Sequence, residues 1–452
     1  MSLKKVLSNP LILQSLWSMI ARFTGVALNF IVILVITNHL SKIATGDLLL
    51  LMQFVTGVAL FSRLGIDQLL IKEVASSHKS HLNFQSDYIK NSYKAVLVLS
   101  IIIIVLWLLV SPYVRTHFFE NGSTNTITLN DLMLAGSGVL FFNLIILNST
   151  YLKAIKKTFA GVLSQNALPA ITLLFFIGLF WGSFSQGQYY INLYTASNIL
   201  AGIIAIIMTA YYLKKQTAFK EADSKENIEY EKAPDVIGVI KKSIPLAPVS
   251  IFSFLMLFAD TLMVGWFLTN DQVADYNIAA RISFVILFFL QALEATIYPR
   301  LLNIYKQNSK KLITFFWQST TLVISVVLSV TLVMYLLSDW LLMAFGDSYI
   351  AAAYAFKLLL LAQLLRSASL TFSFMFIIRE QIRYLNIVLI VALIVNLILN
   401  VILIKLYGIE GAALATLIAN GVLLLLVFSF FYMKKLLQNI SEDKQLEQGE
   451  TI

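Results

Sequence analysis

The chain contains no cysteine. Disulfides and thiolate metal sites are thereby excluded, and nothing about the redox state of the compartment follows. Histidine is almost as scarce. His39, His78, His81 and His117 read as loop or helix-end residues and form no HExxH-type pair, so no metal centre or other cofactor is expected. Walker-type glycine loops are missing too, which argues against ATP hydrolysis as the direct energy source. Charge is the third shortage. Asp, Glu, Lys and Arg make up 13% of 452 residues while 59% are apolar, and a soluble domain carries about 25% charge. With a mean hydropathy of +0.82, the chain cannot bury its apolar surface in a water-facing globule, so most of it must face lipid or other helices.

What is present is a succession of apolar windows long enough to span lipid as helices. They fall near 15–38, 46–70, 92–112, 129–151, 160–182, 189–213, 244–268, 278–299, 313–337, 351–377, 384–404 and 411–433. The expectation is an all-α integral membrane protein of about twelve transmembrane helices. Lys4 and Lys5 precede an apolar run too long for a signal peptide, and no A-x-A site follows.

The net charge of +9 is not gathered into one patch, so nucleic acid is not an expected partner. Of the 33 Lys and Arg residues, 25 fall in alternate connections once the N-terminus is placed in the cytoplasm; the opposite loops hold only Lys42, Arg115 and Lys405. By the positive-inside rule both termini are then cytoplasmic. A charged stretch, KKQTAFKEADSKENIEYEKAPD, separates the sixth window from the seventh. The expected organisation is a six-helix half at 1–213, a cytoplasmic linker at 214–236, a second six-helix half at 237–433 and a polar tail at 434–452. A shift of 228 residues lays LSKIATGDLLLL (40–51) over LTNDQVADYNIA (268–279), matching Leu40 with Leu268 and Asp47 with Asp275, as an internal duplication would.

Four stretches carry a family resemblance. LLLLMQFVTGVALFSRLGIDQLLIKEVAS (48–76) holds Leu64, Gly65, Lys72 and Ala75. FADTLMVGWFLTNDQVADYNIAARI (258–282) holds Asp260, Gly265, Tyr276, Ala280 and Arg281. Tyr298-Pro299-Arg300 and YGIEGAALATLIANG (407–421) follow. In this order they resemble the polysaccharide transport branch of the multidrug/oligosaccharidyl-lipid/polysaccharide exporter superfamily, which includes the O-antigen flippases. The resemblance implies a MATE-like fold and movement of an undecaprenyl-pyrophosphate-linked oligosaccharide between leaflets of the bacterial inner membrane. Membrane lipids, a polysaccharide polymerase and a chain-length regulator are the partners it implies. The lipid II branch, usually of fourteen helices, fits less well.

Ionisable residues inside spans are costly and mark cavities or partners. Helical spacing places Ser15, Ser18, Arg22 and Asn29 on one stripe, and Gln363, Arg366 and Ser373 on another. Ser253 with Asp260, Gln291 with Glu294, and Asn386 with Asn396 and Asn400 form three more. Five polar faces can line a wet cavity. Arg22, Asn29, Gln363 and Arg366 are the candidate substrate-binding residues, since a guanidinium fork matches phosphate oxygens; pairing of either arginine with a carboxylate is the structural alternative. Asp260 and Glu294 are candidates for ion coupling, the alternative being a fixed salt bridge to Arg22 or Arg366. Arg63 and Asp67, four apart, are expected to pair, and Lys357 to snorkel. Pro169, Pro245 and Pro248 mark bending points.

Two other functions compete with the flippase. A drug or organic-cation exporter would favour an acidic cavity, whereas five Arg/Lys against three Asp/Glu fall within the spans. A membrane-embedded polymerase or glycosyltransferase needs a sizeable outward loop or a clustered acidic site, and neither is found. A secondary transporter with no catalytic residues is the expectation.

Overall fold

The computed structural model describes residues 10–76, 82–119, 127–185, 189–221, 233–307 and 311–433. These are helical almost throughout, with no strand among them. The chain divides into two compact units, Met1–Phe258 and Ala259–Ile452.

The first unit contains α1 (Pro10–His39), α2 (Lys42–Arg63), α3 (Ile66–Ser76), α4 (Leu82–Val114), α5 (Leu129–Ala154), α6 (Thr158–Asn166), α7 (Leu168–Leu179), α8 (Trp181–Ser185), α9 (Tyr190–Glu221) and α10 (Val236–Ser243). Its core joins Ile66, Leu69 and Leu70 of α3 to Tyr88 and Val96 of α4, Leu147 and Tyr151 of α5, and Val239 of α10. Because α10 packs on α3 and α4, the unit continues past the charged stretch, and the division falls inside α11 (Ala247–Phe267). Residues 222–232 of the expected linker and the tail at 434–452 lie outside the described residues.

The second unit continues with α12 (Asn270–Ser283), α13 (Val285–Lys306), α14 (Lys311–Leu336), α15 (Ser338–Met343), α16 (Ala353–Ile378) and α17 (Ile382–Met433). Here α16 is central, packed against α12, α13, α14 and α17. Phe316 stacks on Phe431, ring centroids 5.3 Å apart, and meets Phe372 edge-on at 5.7 Å, so aromatic rings close the core at this end.

All twelve apolar windows fall on helix, and several are interrupted. The second breaks at Leu64, left-handed at φ 45°, between α2 and α3. The fifth bends by 40° between α6 and α7, with Pro169 in the first turn of α7, where its ring cannot continue the preceding helix. The eighth spans the α12–α13 junction. The last two form α17, 52 residues long, which Gly408 divides with φ 61° and ψ −136°. A straight helix of that length would measure about 78 Å, far more than a bilayer core of about 30 Å. After Gly408 the chain doubles back so closely that a Cβ on Gly411 would strike the Leu403 carbonyl. Among the described residues nine helices are long and apolar enough to cross a membrane, ten if the bent pair counts as one span.

The apolar surface agrees with a lipid setting. Along α4, Leu97, Val98, Ile101, Ile102, Val105, Leu106 and Leu109 are all exposed, a face that water would not tolerate but lipid tails would. The two stretches aligned by the 228-residue shift have some local features in common. Ser41 and Thr269 stand at the N-cap positions of α2 and α12, both in extended backbone, though only Ser41 accepts a backbone N–H there, and Asp47 and Asp275 are 1% and 4% exposed.

Candidate functional site

Polar side chains gather in several places within each unit. In the second unit, the Asp260 carboxylate on α11 receives hydrogen bonds from Tyr276 of α12 (3.2 Å), Asn400 (2.6 Å) and Thr416 (2.5 Å). Asn400 and Thr416 come from opposite sides of the Gly408 break, so the reversal of α17 puts both beside one carboxylate. Asn400 also donates to Asn396 (3.1 Å), and its own carbonyl oxygen is buried without a partner. All these groups are neutral, and no described cation lies within ion-pair distance of Asp260. Within the second unit, the salt bridge to Arg366 weighed from the sequence is therefore not what Asp260 makes. Asn386 of the same stripe is exposed, while the side chains of Ser253, Gln291 and Ser15 lie outside the described residues.

On α16, Gln363 is 2% exposed and its side-chain carbonyl has no partner. One turn on, the half-buried Arg366 guanidinium makes no hydrogen bond and no ion pair with any described residue; the Glu294 carboxylate on α13 acts on it only through its field. A guanidinium has five donors. Here all five are available to a ligand among the described groups. Ser373, expected on this stripe, turns its hydroxyl back to the Ser369 carbonyl (2.9 Å).

In the first unit, the α1 stripe is used mainly for packing. Ser18 donates to the Thr158 hydroxyl (2.9 Å), and the Asn29 amide donates to the carbonyls of Gly25 and Asn166 (2.8 Å each). Asn29 thus spends both N–H groups on pinning α1 to α6 and keeps only an acceptor oxygen. Arg22, on the same stripe, is exposed. Lys153 at the end of α5, read from the sequence as a loop charge, instead donates to Gln165 of α6 (2.5 Å).

Arg63 and Asp67 pair as their spacing predicts, at 3.9 Å. The shorter contact is one the sequence did not reveal: Arg63 donates to Asn143 of α5 (2.6 Å), whose amide donates to Ser62 (2.5 Å) and Ser100 (2.9 Å). Asn148, Ser164, Thr209 and Tyr93 form a second buried chain of hydrogen bonds. Lys357, expected to snorkel, lies 3.8 Å from Asp339 and 5.5 Å from the Tyr335 ring centre. No cluster of three or more His, Cys, Asp or Glu suited to a metal occurs among the described residues.

Solved structures share this architecture. The lipid II flippase MurJ in an inward closed conformation aligns with a TM-score of 0.69 at 14% identity, over 96% of this chain and 91% of its own. An inward-facing multidrug resistance MATE transporter of the MOP superfamily gives 0.70 at 15% identity, covering 94% and 99%. A MOP superfamily transporter from Pyrococcus furiosus gives 0.59 at 14% identity, covering 95% of each. At such identities the likeness carries the fold, and that fold defines the class: a multi-pass helical membrane protein built like exporters and flippases. An uncharacterized membrane protein of Methanocaldococcus jannaschii is 22% identical over 440 residues, 94% of this chain and 84% of the relative. The chain belongs to the polysaccharide biosynthesis protein family, whose model matches residues 12–305.

Proposed function

We propose that this protein is a secondary transporter, not an enzyme, that flips an undecaprenyl-pyrophosphate-linked oligosaccharide repeat unit across the bacterial inner membrane by alternating access. Sugars pass through the polar interior while the polyprenyl tail stays in lipid. The polypeptide crosses twelve times in two six-helix halves, with both termini in the cytoplasm. Surface polysaccharide such as O-antigen is the product served, and a polymerase and a chain-length regulator act next to it.

One observation carries the reading: the Arg366 guanidinium, half-buried in an apolar chain, has no hydrogen-bonded partner among the described residues. Placing a cation at membrane depth is costly, and a phosphate fork supplies the compensation that the described side chains do not. Gln363 adds an unpartnered side-chain carbonyl one turn away; in the first unit, Arg22 and Asn29 of α1 are substrate contacts of their own, Asn29 as an acceptor for sugar hydroxyls. Asp260 takes the coupling cation: its donors stabilise a carboxylate, yet no described positive charge balances it, so a proton or metal ion completes the site. Glu294 tempers the field at Arg366.

Deletion and complementation in the host tests this. Loss of surface polysaccharide with lipid-linked repeat units accumulating on the cytoplasmic side, unrescued by Arg366→Ala, is the expected outcome. Normal surface polymer in a deletion strain that has become drug-sensitive would replace the flippase with the cation exporter.

A further inference from the structure

Helix α10 carries a stripe that the proposed function does not use. At about 100° per residue, Val236, Val239, Ile240 and Ser243 share its inner face. Val239 and Ser243 are fully buried, and Val236 and Ile240 pack against the core of the first unit. Ile237, Lys241 and Ile244 fall together on a different side. Ile237 is 61% and Ile244 52% exposed, and Lys241 and its neighbour Lys242 are exposed as well. Isoleucines at both ends of an outer stripe, with lysine between them, suit a helix lying in a membrane interface.

The depth of α10 agrees with that setting. Its start is tied to α4, where the Asn91 amide donates to the Pro234 carbonyl (2.9 Å). Along α4 the exposed residues change from Lys90 and Lys94 to Leu97, Val98 and Ile101, so the passage from headgroups to acyl chains falls between 94 and 97. Asn91 is six residues from Leu97, about 9 Å along the helix. That puts α10 beside the headgroup layer, next to the lipid-facing stripe of α4.

The helix is also held in one orientation. The Asp235 carboxylate accepts the Gly238 N–H (2.9 Å) at its start. At its end, the left-handed Gly65 of the α2–α3 break lets the backbone approach. A Cβ on Gly65 would lie 2.9 Å from the Ser243 carbonyl oxygen and 2.8 Å from the Ala247 nitrogen. The outer stripe therefore cannot roll inward to hide its isoleucines.

We propose that this stripe is a docking surface for anionic phospholipid of the leaflet it faces. Ile237 and Ile244 enter the acyl boundary, while Lys241 and Lys242 extend their stems to the phosphates. Neither lysine makes a hydrogen bond or ion pair with a described residue, and the nearby Asp235 carboxylate is engaged at the helix start. Two ammonium groups so placed match a headgroup with net negative charge, which a zwitterionic one lacks. Since Gly65 touches both Ser243 and Ala247, lipid held on α10 also anchors the start of α11. The inference is independent of the transported cargo.

The test exploits the lack of native cysteine. The full-length Ile237→Cys protein, labelled with bimane, is placed in nanodiscs of phosphatidylcholine and phosphatidylglycerol in equal parts. Bromine quencher is carried on the acyl chains of one lipid or of the other. Both should quench, and brominated phosphatidylglycerol more strongly, with a preference of about fivefold for each lysine engaged that shrinks as salt is added. Lys241→Gln with Lys242→Gln should bring the two lipids to parity. The corresponding double arginine variant should keep the preference, and so should Lys405→Gln, which removes a charge remote in sequence. Absence of quenching by either lipid would show that α10 faces water, and the docking surface would fall. Equal quenching of the parent protein would leave an apolar contact without selection for anionic lipid and overturn the proposal. A preference that survives the double glutamine variant, or that Lys405→Gln lowers as much, would overturn it too. The flippase function stands under all of these results.

Discussion

Replacing Asn143 by alanine is the sharpest test of how the first unit is held together. The substitution removes the acceptor that Arg63 reaches at 2.6 Å and the donors to Ser62 and Ser100 at 2.5 and 2.9 Å. What remains for Arg63 is Asp67, 3.9 Å from Nε, an ion-pair contact too long for a hydrogen bond. Each lost neutral bond between membrane helices is worth about 0.6 kcal/mol, and the bond from the guanidinium about 1.5–3 kcal/mol. The expected destabilisation is therefore about 3–4 kcal/mol. It is measurable by equilibrium unfolding with dodecyl sulfate in mixed micelles. A second variant separates the polar network from simple loss of volume. In Arg63→Met with Asn143→Leu and Asp67→Leu the cation and both of its partners vanish together, and apolar replacement of a buried polar set is often near neutral. That triple variant should lie within about 1.5 kcal/mol of wild type. An Asn143→Ala cost below about 1 kcal/mol, or a triple variant as unstable as the single one, would refute the assignment of Arg63 to a structural network.

Three further outcomes are expected. Gly411→Val should abolish folded expression, seen as loss of the monodisperse peak in size-exclusion chromatography, because its Cβ meets the Leu403 carbonyl across the chain reversal. Asp260→Asn should keep the protein folded but lower ion-driven transport about tenfold or more, read as uptake with and without an imposed ion gradient; unchanged gradient dependence would remove Asp260 from coupling. The absence of native cysteine makes topology direct to measure. Lys405→Cys should react with an impermeant maleimide in intact cells, and Lys157→Cys only after permeabilisation; the reverse pattern would invert the proposed orientation.

The sequence exposed whatever depends on short-range periodicity. Apolar windows about twenty residues long located the helices because each must satisfy its own backbone in lipid, and four-residue spacing joined Arg63 to Asp67. The stripe of Asn396 and Asn400 was equally visible, since both lie on one face of one helix. Its target was not. Tyr276 and Thr416 reach Asp260 only because the chain turns between α11 and α12 and Gly408 turns α17 back, and no local pattern encodes those contacts. Asn143 looked like one polar residue in an apolar run, and its meaning comes from Arg63 eighty positions away. Lys153 was read as a loop charge because a lysine at a helix end usually faces water; Gly161 and Gln165 draw it onto α6 instead. Asn29 shows the opposite case, a residue on a polar stripe whose N–H groups are taken by backbone carbonyls.

The central claim is tested most directly by reconstituting the purified protein into liposomes with a fluorescent undecaprenyl-pyrophosphate oligosaccharide and measuring how much becomes accessible to a membrane-impermeant quencher. Wild-type protein should move the label between leaflets faster than empty liposomes, and Arg366→Ala should reduce that movement to near the empty rate. Wild-type movement no faster than empty liposomes under any imposed proton or sodium gradient would contradict the flippase.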